Sequence, residues 1–249
     1  MRKTFWSLPK ERFIIFLYHK IDGVSNPSYS SLFVSKEAFE RQIEFLHRRS
    51  YTFLTSEDLV DFMGDNASVG KKAVLITFDD GYLDNLINAW PILQRYGARA
   101  TVFLTTEFIG KSFYWNDQEN TFLGREQIVK LYEQGMDFGS HTLSHPSLIR
   151  CTLEKVAYEV SSSKSRIEEL LGESIDAFAY PYGSYNSNIR EAVVRAGYKW
   201  AYTLHKGINT IETDPYALRR FRPTNSFLQF LFFVYFATSI ERMRKLRKK

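Results

Sequence analysis

Short apolar runs recur along the chain, and amphipathic stretches separate them. Phe13–Tyr18 (FIIFLY) and Ala73–Phe78 (AVLITF) are continuous or nearly so. An apolar run of this length is the pattern of a strand covered on both faces. Ala100–Leu104, Asp137–Gly139, Ala177–Tyr180 and Lys199–Thr203 read as further strands. Between them lie helical patterns. Ser35 opens one that reaches about Arg49, with Phe39, Ile43 and Leu46 on a single stripe. Ser56–Met63 reads as a short helix. Asp84–Tyr96, Arg125–Gln134 and Asn188–Ala196 are helices closed by Gly97, Gly135 and Gly197. Glycine just past the last turn is the expected stop, because it takes the left-handed conformation freely. Thr152 caps a long helix that runs to Leu171 and ends at Gly172.

Strands alternating with helices of this length predict an α/β fold with parallel strands. At least six such units in about 200 residues favour a closed or nearly closed (β/α) barrel, with a doubly wound open sheet as the alternative. No linker, repeat or low-complexity segment interrupts the pattern, so a single domain over 1–249 is expected. In such barrels chemistry sits at the C-terminal ends of the strands, which makes the polar residues just after each strand the ones to read.

Composition narrows the picture modestly. Hydrophobic residues make up 44% of the 249 residues and charged residues 24%, as in ordinary globular proteins. The single cysteine, Cys151, excludes an internal disulfide and a cysteine-rich metal site. The net charge of +5 resides in residues 241–249, which hold six basic residues and one acid. The rest of the chain is neutral, which argues against a groove-wide nucleic-acid footprint.

The termini add two expectations. Arg2 and Lys3 are followed by Pro9, Lys10, Glu11 and Arg12 and not by an apolar run, so a cytoplasmic start is expected. Residues 226–249 form an apolar helix and a basic tail. Phe227–Ile240 (FLQFLFFVYFATSI) is too short to span a bilayer, which needs about 20 residues. It reads either as a buried closing helix or as an interfacial helix on an anionic membrane, at the inner face of the cytoplasmic membrane.

Three clusters carry candidate chemistry. Asp79-Asp80-Gly81 ends the AVLITF run, and two adjacent carboxylates after a buried strand are costly unless something pairs them. His141 and His145, in GSHTLSHP, have a spacing that lets two imidazoles converge on one cation. A carboxylate and two histidines at strand ends make a three-ligand set suited to catalytic zinc, and equally to cobalt, nickel or iron. Tyr180-Pro181-Tyr182-Gly183 ends a further strand in a sharp turn that can aim the Tyr182 N–H into a cleft. Taken singly, the three also read as an Asx turn, a solvated histidine pair and an aromatic turn.

Together they resemble a known family. TFDDG (Thr77–Gly81), HTLSH (His141–His145) and AYPYG (Ala179–Gly183) have the order and spacing of the polysaccharide deacetylases, carbohydrate esterase family 4, of the NodB-homology type. FLYHKI and NAWPILQRYGARATVF look like the poly-N-acetylglucosamine deacetylase branch, and the resemblance covers about residues 13–222. It implies a distorted (β/α)7 barrel and metal-dependent removal of acetyl groups from N-acetylhexosamine units of a glycan or a lipid-linked precursor. It makes Asp79 the catalytic base. Asp80, His141 and His145 hold one divalent ion, Zn2+ first, with Co2+, Ni2+ or Fe2+ also compatible. The Tyr182 N–H joins the oxyanion hole, in a turn with Tyr180, Pro181 and Gly183.

The chain departs from the family pattern in its proton path. The family's acid is a histidine in a Leu-x-His motif, where this chain has Leu204-His205. His205 and His19, which follows the first strand, are the candidate acids. The family's arginine before the Pro-Tyr-Gly turn is replaced by Phe178-Ala179-Tyr180, and Arg220 is the candidate substitute. An Asp/Trp motif is also missing. Trp115, in the polar loop Lys111–Leu123, is a candidate for stacking on a sugar, on a cleft rimmed also by Tyr180 and Tyr182. A non-sugar amidohydrolase and a catalytically silent glycan binder are the competing readings.

Overall fold

The computed structural model describes residues 12–22, 32–63, 72–115 and 118–235, and the side chains of residues 61–63, 115 and 118 lie outside that description. The readings of the N-terminus and of the tail over 236–249 fall on residues outside it.

The apolar runs become the strands of one curled sheet: β1 (Arg12–Tyr18), β4 (Thr52–Leu54), β5 (Ala73–Asp80), β6 (Thr101–Leu104), β9 (Asp137–Ser140), β10 (Ala177–Ala179), β11 (Trp200–Tyr202) and β12 (Asn209–Thr210). Their spatial order is β11-β10-β9-β6-β5-β1-β12, with β4 also paired to β5. All these pairings are parallel except β12 on β1. Every residue of β5 is buried, as a central parallel strand requires. Two small pairs stand apart, β2 (Lys20–Ile21) with β3 (Phe33–Val34), and β7 (Ser112–Trp115) with β8 (Gln118–Thr121).

The helices α1 (Lys36–Arg48), α2 (Asp58–Met63), α3 (Trp90–Arg95), α4 (Arg125–Glu133), α5 (Leu153–Leu171) and α6 (Ser187–Arg195) connect the strands. Ser35 caps α1 through Ala38 N–H, and Thr152 caps α5 through Lys155 N–H. Phe39, Ile43 and Leu46 form the buried stripe of α1.

The sheet closes into a distorted barrel through a segment the hydrophobic pattern did not mark. Residues 218–221 bridge both edges, Leu218 beside Tyr202 of β11 and Phe221 beside Phe16 of β1. The Leu17 N–H bonds Phe221 O, and the Thr203 N–H bonds Leu218 O. This strap brings Arg220 into the interior.

Three expectations need correction. The helix expected over Asp84–Tyr96 opens with a π-helical turn, Asn85–Ala89, before α3. Pro91 lacks an N–H and cannot continue the α register behind it, and a wider turn is one way to absorb that. The loop over Lys111–Leu123 contains the antiparallel β7–β8 hairpin, which has no apolar alternation to announce it. The closing helix, described over residues 227–235, buries one face and not all of its circumference. Phe230, Phe233 and Val234 are buried, and Phe230 packs on Phe16 with ring centroids 5.0 Å apart. Leu228, Phe232 and Tyr235 are exposed. Among the described residues no helix is long and apolar enough to cross a membrane.

Candidate active site

The candidate residues converge at the C-terminal mouth of the barrel. Asp79 and Asp80 end β5, His141 follows β9 and Tyr182 follows β10. His141 Nε2 lies 3.2 Å from His145 Nε2 and 3.7 Å from Asp80 Oδ1, and His145 Nε2 lies 3.4 Å from Asp80 Oδ1. Ligand atoms ~2.0–2.2 Å from one tetrahedral ion stand about 3.3–3.6 Å apart, so this triangle has the right size.

Other observations show that the set fits a cation. The Asp80 Oδ1 atom is buried with no hydrogen-bond partner among the described residues, a costly arrangement unless a ligand satisfies it. His141 Nδ1 sits 2.7 Å from Ala179 O. That carbonyl fixes the proton on Nδ1 and leaves the Nε2 lone pair directed at the cluster. Burial lowers the His141 pKa to about 4, against the opposing charges of Asp79 and Asp80. The imidazole is therefore neutral near pH 7, the form that binds a metal. Two carboxylates and one guanidinium leave the cluster net negative, which a divalent ion compensates.

The backbone around the cluster is strained. Asp80, Thr142, His145 and Tyr182 all have φ between 59° and 76°. Non-glycine residues are rarely found there, and such strain persists only where the surroundings enforce it. Glu159, buried on the inner stripe of α5, supplies part of that enforcement. Its carboxylate accepts the Leu143 and Ser144 N–H groups at 2.9 Å each and the Ser144 hydroxyl at 2.6 Å, and it pairs with Lys155 at 2.8 Å. It thus grips the loop between the two histidines. The sequence reading missed it, although a charged residue in line with Val156, Val160 and Ile167 was a visible signal.

Arg220 is fully buried and forks onto Asp79, with Nη1 2.7 Å from Oδ1 and Nη2 2.8 Å from Oδ2. Its Nε donates to Thr203 O at 3.0 Å. The candidate pairing from the sequence is therefore present, in the bidentate form that makes such contacts strong. Burial pushes the Asp79 carboxyl up, but the Arg220 and His141 charges outweigh it and hold the pKa at about 2.

The two candidate acids differ sharply. His19 lies just past β1 and shares its electrostatic field with Asp79 and Asp80, and its Nδ1 is buried without a partner among the described residues. Burial lowers its pKa, and the two carboxylates oppose the shift. Its backbone is clamped from the π turn. Asn85 Nδ2 donates to His19 O at 2.9 Å, Asn88 Nδ2 to Ile21 O at 2.7 Å, and the Ile21 N–H to Asp84 Oδ1 at 3.0 Å. His205 is exposed on the loop after β11, with its ring 6.3 Å from that of Tyr185. Among the described residues no polar contact joins its ring to the cluster.

Tyr180 does not rim the cleft. It is fully buried, stacks on Tyr185 and donates its hydroxyl to Tyr216 O. As the last residue before the turn it faces inward, and Pro181 and Gly183 are buried with it. Gly183 has φ +67°, and a Cβ there would lie 2.5 Å from the Leu204 side chain, so only glycine fits. Tyr182 is exposed, and its ring centroid lies 4.9 Å from that of His145. Trp115 ends β7, and its side chain is outside the described residues.

A family model for polysaccharide deacetylase matches residues 66–201. The chain belongs to the polysaccharide deacetylase family. YxkH of Bacillus subtilis (strain 168) is 32% identical over 208 residues, covering 84% of this chain and 70% of that one. The poly-β-1,6-N-acetyl-D-glucosamine N-deacetylase of Staphylococcus epidermidis is 29% identical over 203 residues, covering 77% and 68%. Among solved structures, the Streptococcus pyogenes deacetylase PplD in complex with acetate superposes with a TM-score of 0.77 at 29% identity, covering 87% of this chain and 94% of that one. In this polysaccharide deacetylase the family-matched segment carries Asp79, Asp80, His141, His145 and Tyr182. Arg220 and His19 come from outside it.

Proposed function

We propose that the chain is a metal-dependent carbohydrate N-deacetylase that removes acetyl from N-acetylhexosamine units of a glycan or lipid-linked glycan precursor. The observation that carries this is the convergence of Asp80, His141 and His145 beside a carboxylate, Asp79, that Arg220 keeps ionised. Asp80, His141 and His145 would hold a divalent ion, which when bound would supply Lewis acidity for the hydrolysis of the amide. Zn2+ suits the donor set best.

Asp79 is the proton acceptor for the water. Its Arg220 fork fixes the carboxylate, whose Oδ2 lies 3.9 Å from His141 Nε2. The same fork keeps Asp79 ionised and makes it a weak base. The Tyr182 N–H is assigned to the developing oxyanion. The neighbouring amides are spent inside the turn, Gly183 N–H on Tyr180 O and Ser184 N–H on Pro181 O. Loss of such a donor costs about 10²–10³ in rate. His19 is assigned as the group that relays to the departing amine the proton Asp79 takes from the water, because its Nδ1 is buried without a partner among the described residues, whereas His205 is exposed on its loop. A silent glycan binder has no use for an ionised, arginine-locked carboxylate beside a ligand triad.

The test is acetate release from β-1,6- and β-1,4-linked N-acetylglucosamine oligomers by the zinc- or cobalt-loaded protein. One free amine per acetate, abolished in Asp79→Asn, is the expected result. Oligomer binding without acetate release by the loaded protein would identify a binder instead.

A further inference from the structure

The helix over residues 227–235 is apolar around most of its circumference, yet the barrel covers only part of it. Phe230, Phe233 and Val234 face the core, with Phe233 stacked on Phe221 at 4.9 Å. Leu228 (80% exposed), Phe232 (51%) and Tyr235 (48%) follow one another at i, i+4 and i+7. At 3.6 residues per turn, that spacing confines them to one narrow outward stripe. Isolated exposed apolar residues need no account, but three aligned on one helix do.

Cations stand near Phe227 and near Tyr235 on this helix. Beside Val234 and Tyr235, a cavity of ≈ 310 Å³ is lined by Arg12, Arg49 and Lys72 together with Phe45, and its described lining holds no carboxylate. Among the described residues none of these three cations takes part in an ion pair. Lys72 Nζ donates to Arg49 O, and the Arg49 guanidinium stands 5.5 Å from the Phe45 ring centroid. On the flank of α1, Arg41 lies 4.2 Å from the Phe227 ring centroid, and Arg48 adds a further charge beside Glu44. The sequence continues from this helix into residues 241–249, which add six basic side chains against one acid.

We infer that this face is a docking surface for a bilayer bearing anionic phospholipids. An apolar stripe on a surface helix, flanked by unneutralised arginine and lysine, matches both components of such a surface: acyl chains for Leu228, Phe232 and Tyr235, and headgroup phosphates for Arg12, Arg49 and Lys72. A nucleic acid would be served by the cations but has no use for the exposed Leu228 at the head of an apolar stripe. The inference does not depend on the catalytic reading, because none of these residues belongs to the cluster at the barrel mouth.

The test is cosedimentation of the full chain with vesicles of phosphatidylcholine alone and with about 30 mol% phosphatidylglycerol added. We expect the bound fraction to rise at least ~10-fold with the anionic lipid and to fall as salt is raised. The double variant Leu228→Ser/Phe232→Ser keeps the charge, so its loss of ~10-fold in binding, with unchanged unfolding midpoint, isolates the stripe. Arg49→Gln/Lys72→Gln should weaken binding to the anionic vesicles while leaving the stripe intact. Equal sedimentation with both vesicles, or full binding by the stripe variant, would overturn the inference. So would a concentration-dependent dimer that the stripe variant abolishes, since a second copy would then be the occupant.

Discussion

Asp79 and Asp84 lie five residues apart at the barrel mouth and titrate in opposite directions. Asp79 is the more deeply buried, yet it is held at about 2, while burial lifts Asp84 to about 7. Depth alone would order them the other way. The difference lies in the partners. Asp79 receives both arms of a buried guanidinium at 2.7 and 2.8 Å. Asp84 receives the Ile21 N–H and Asn85, with Lys20 nearby, and these only partly offset its desolvation. A bidentate cation decides the charge of a buried carboxylate where single neutral donors do not. The end of β5 thus carries one ionised group beside the ligand triad. Beyond it, Asp84 is half protonated near pH 7 and holds the backbone beside His19.

The most damaging way to disturb this contrast is to remove the guanidinium. Arg220→Met leaves Asp79 buried and unpaired, and should cost about 3–5 kcal/mol of stability in chemical denaturation. It should also cost more than ~10² in kcat/KM by misplacing the base. Adding Asp79→Asn should restore much of the stability and none of the activity. A single variant as stable as the wild type would show that the pair is not what holds Asp79.

The two imidazoles extend the comparison. His19→Gln should lower kcat by about 10²–10⁴, the range for a general acid. His205→Ala should change it by less than about threefold, as expected for an exposed side chain. Equal effects in steady-state kinetics would remove the distinction between them.

How far the sequence foretold these features depends on how local each one is. Asp79, Asp80, His141 and His145 sit in two compact motifs at the ends of two strands, so spacing made them candidates and the family resemblance of the motifs gave them roles. The strands themselves were legible because a parallel sheet covered on both faces writes unbroken apolar runs, as β5 does. Arg220 was only a candidate because its strand-like strap reads Leu-Arg-Arg-Phe, with charges where an apolar run would announce a strand. Its contact with Asp79 spans 141 residues. Glu159 was marked only by a charge on the apolar stripe of α5, and its role was hidden because its main partners are backbone amides that no side-chain pattern marks. Tyr180 looked like a rim residue because motif position does not tell which way a strand-end ring points.

Glu159→Ala should release the loop between the histidines and weaken metal affinity about 10–100-fold, as outer-shell changes do. Competition with a chromophoric chelator reads this directly, and unaltered affinity would mean the loop holds its shape alone. Asp84→Asn should have the smallest effect. Because the folded-state pKa of Asp84 is raised to about 7, the folded protein binds more protons than the unfolded chain between about pH 4 and 7. Its contribution to stability is therefore full at low pH and is lost as the pH rises through 7. The variant should flatten that part of the stability profile, and an unchanged slope would assign it to another group, such as Asp137, raised to about 6 by burial.

The central claim is that Asp80, His141 and His145 hold a divalent ion. Its most direct test is the metal content per chain of the wild type and of His141→Ala, after loading with zinc or cobalt and exhaustive dialysis. One equivalent in the wild type and none in a variant that remains folded is the predicted result. A folded wild type that retains no metal, or a variant that retains as much, would contradict it.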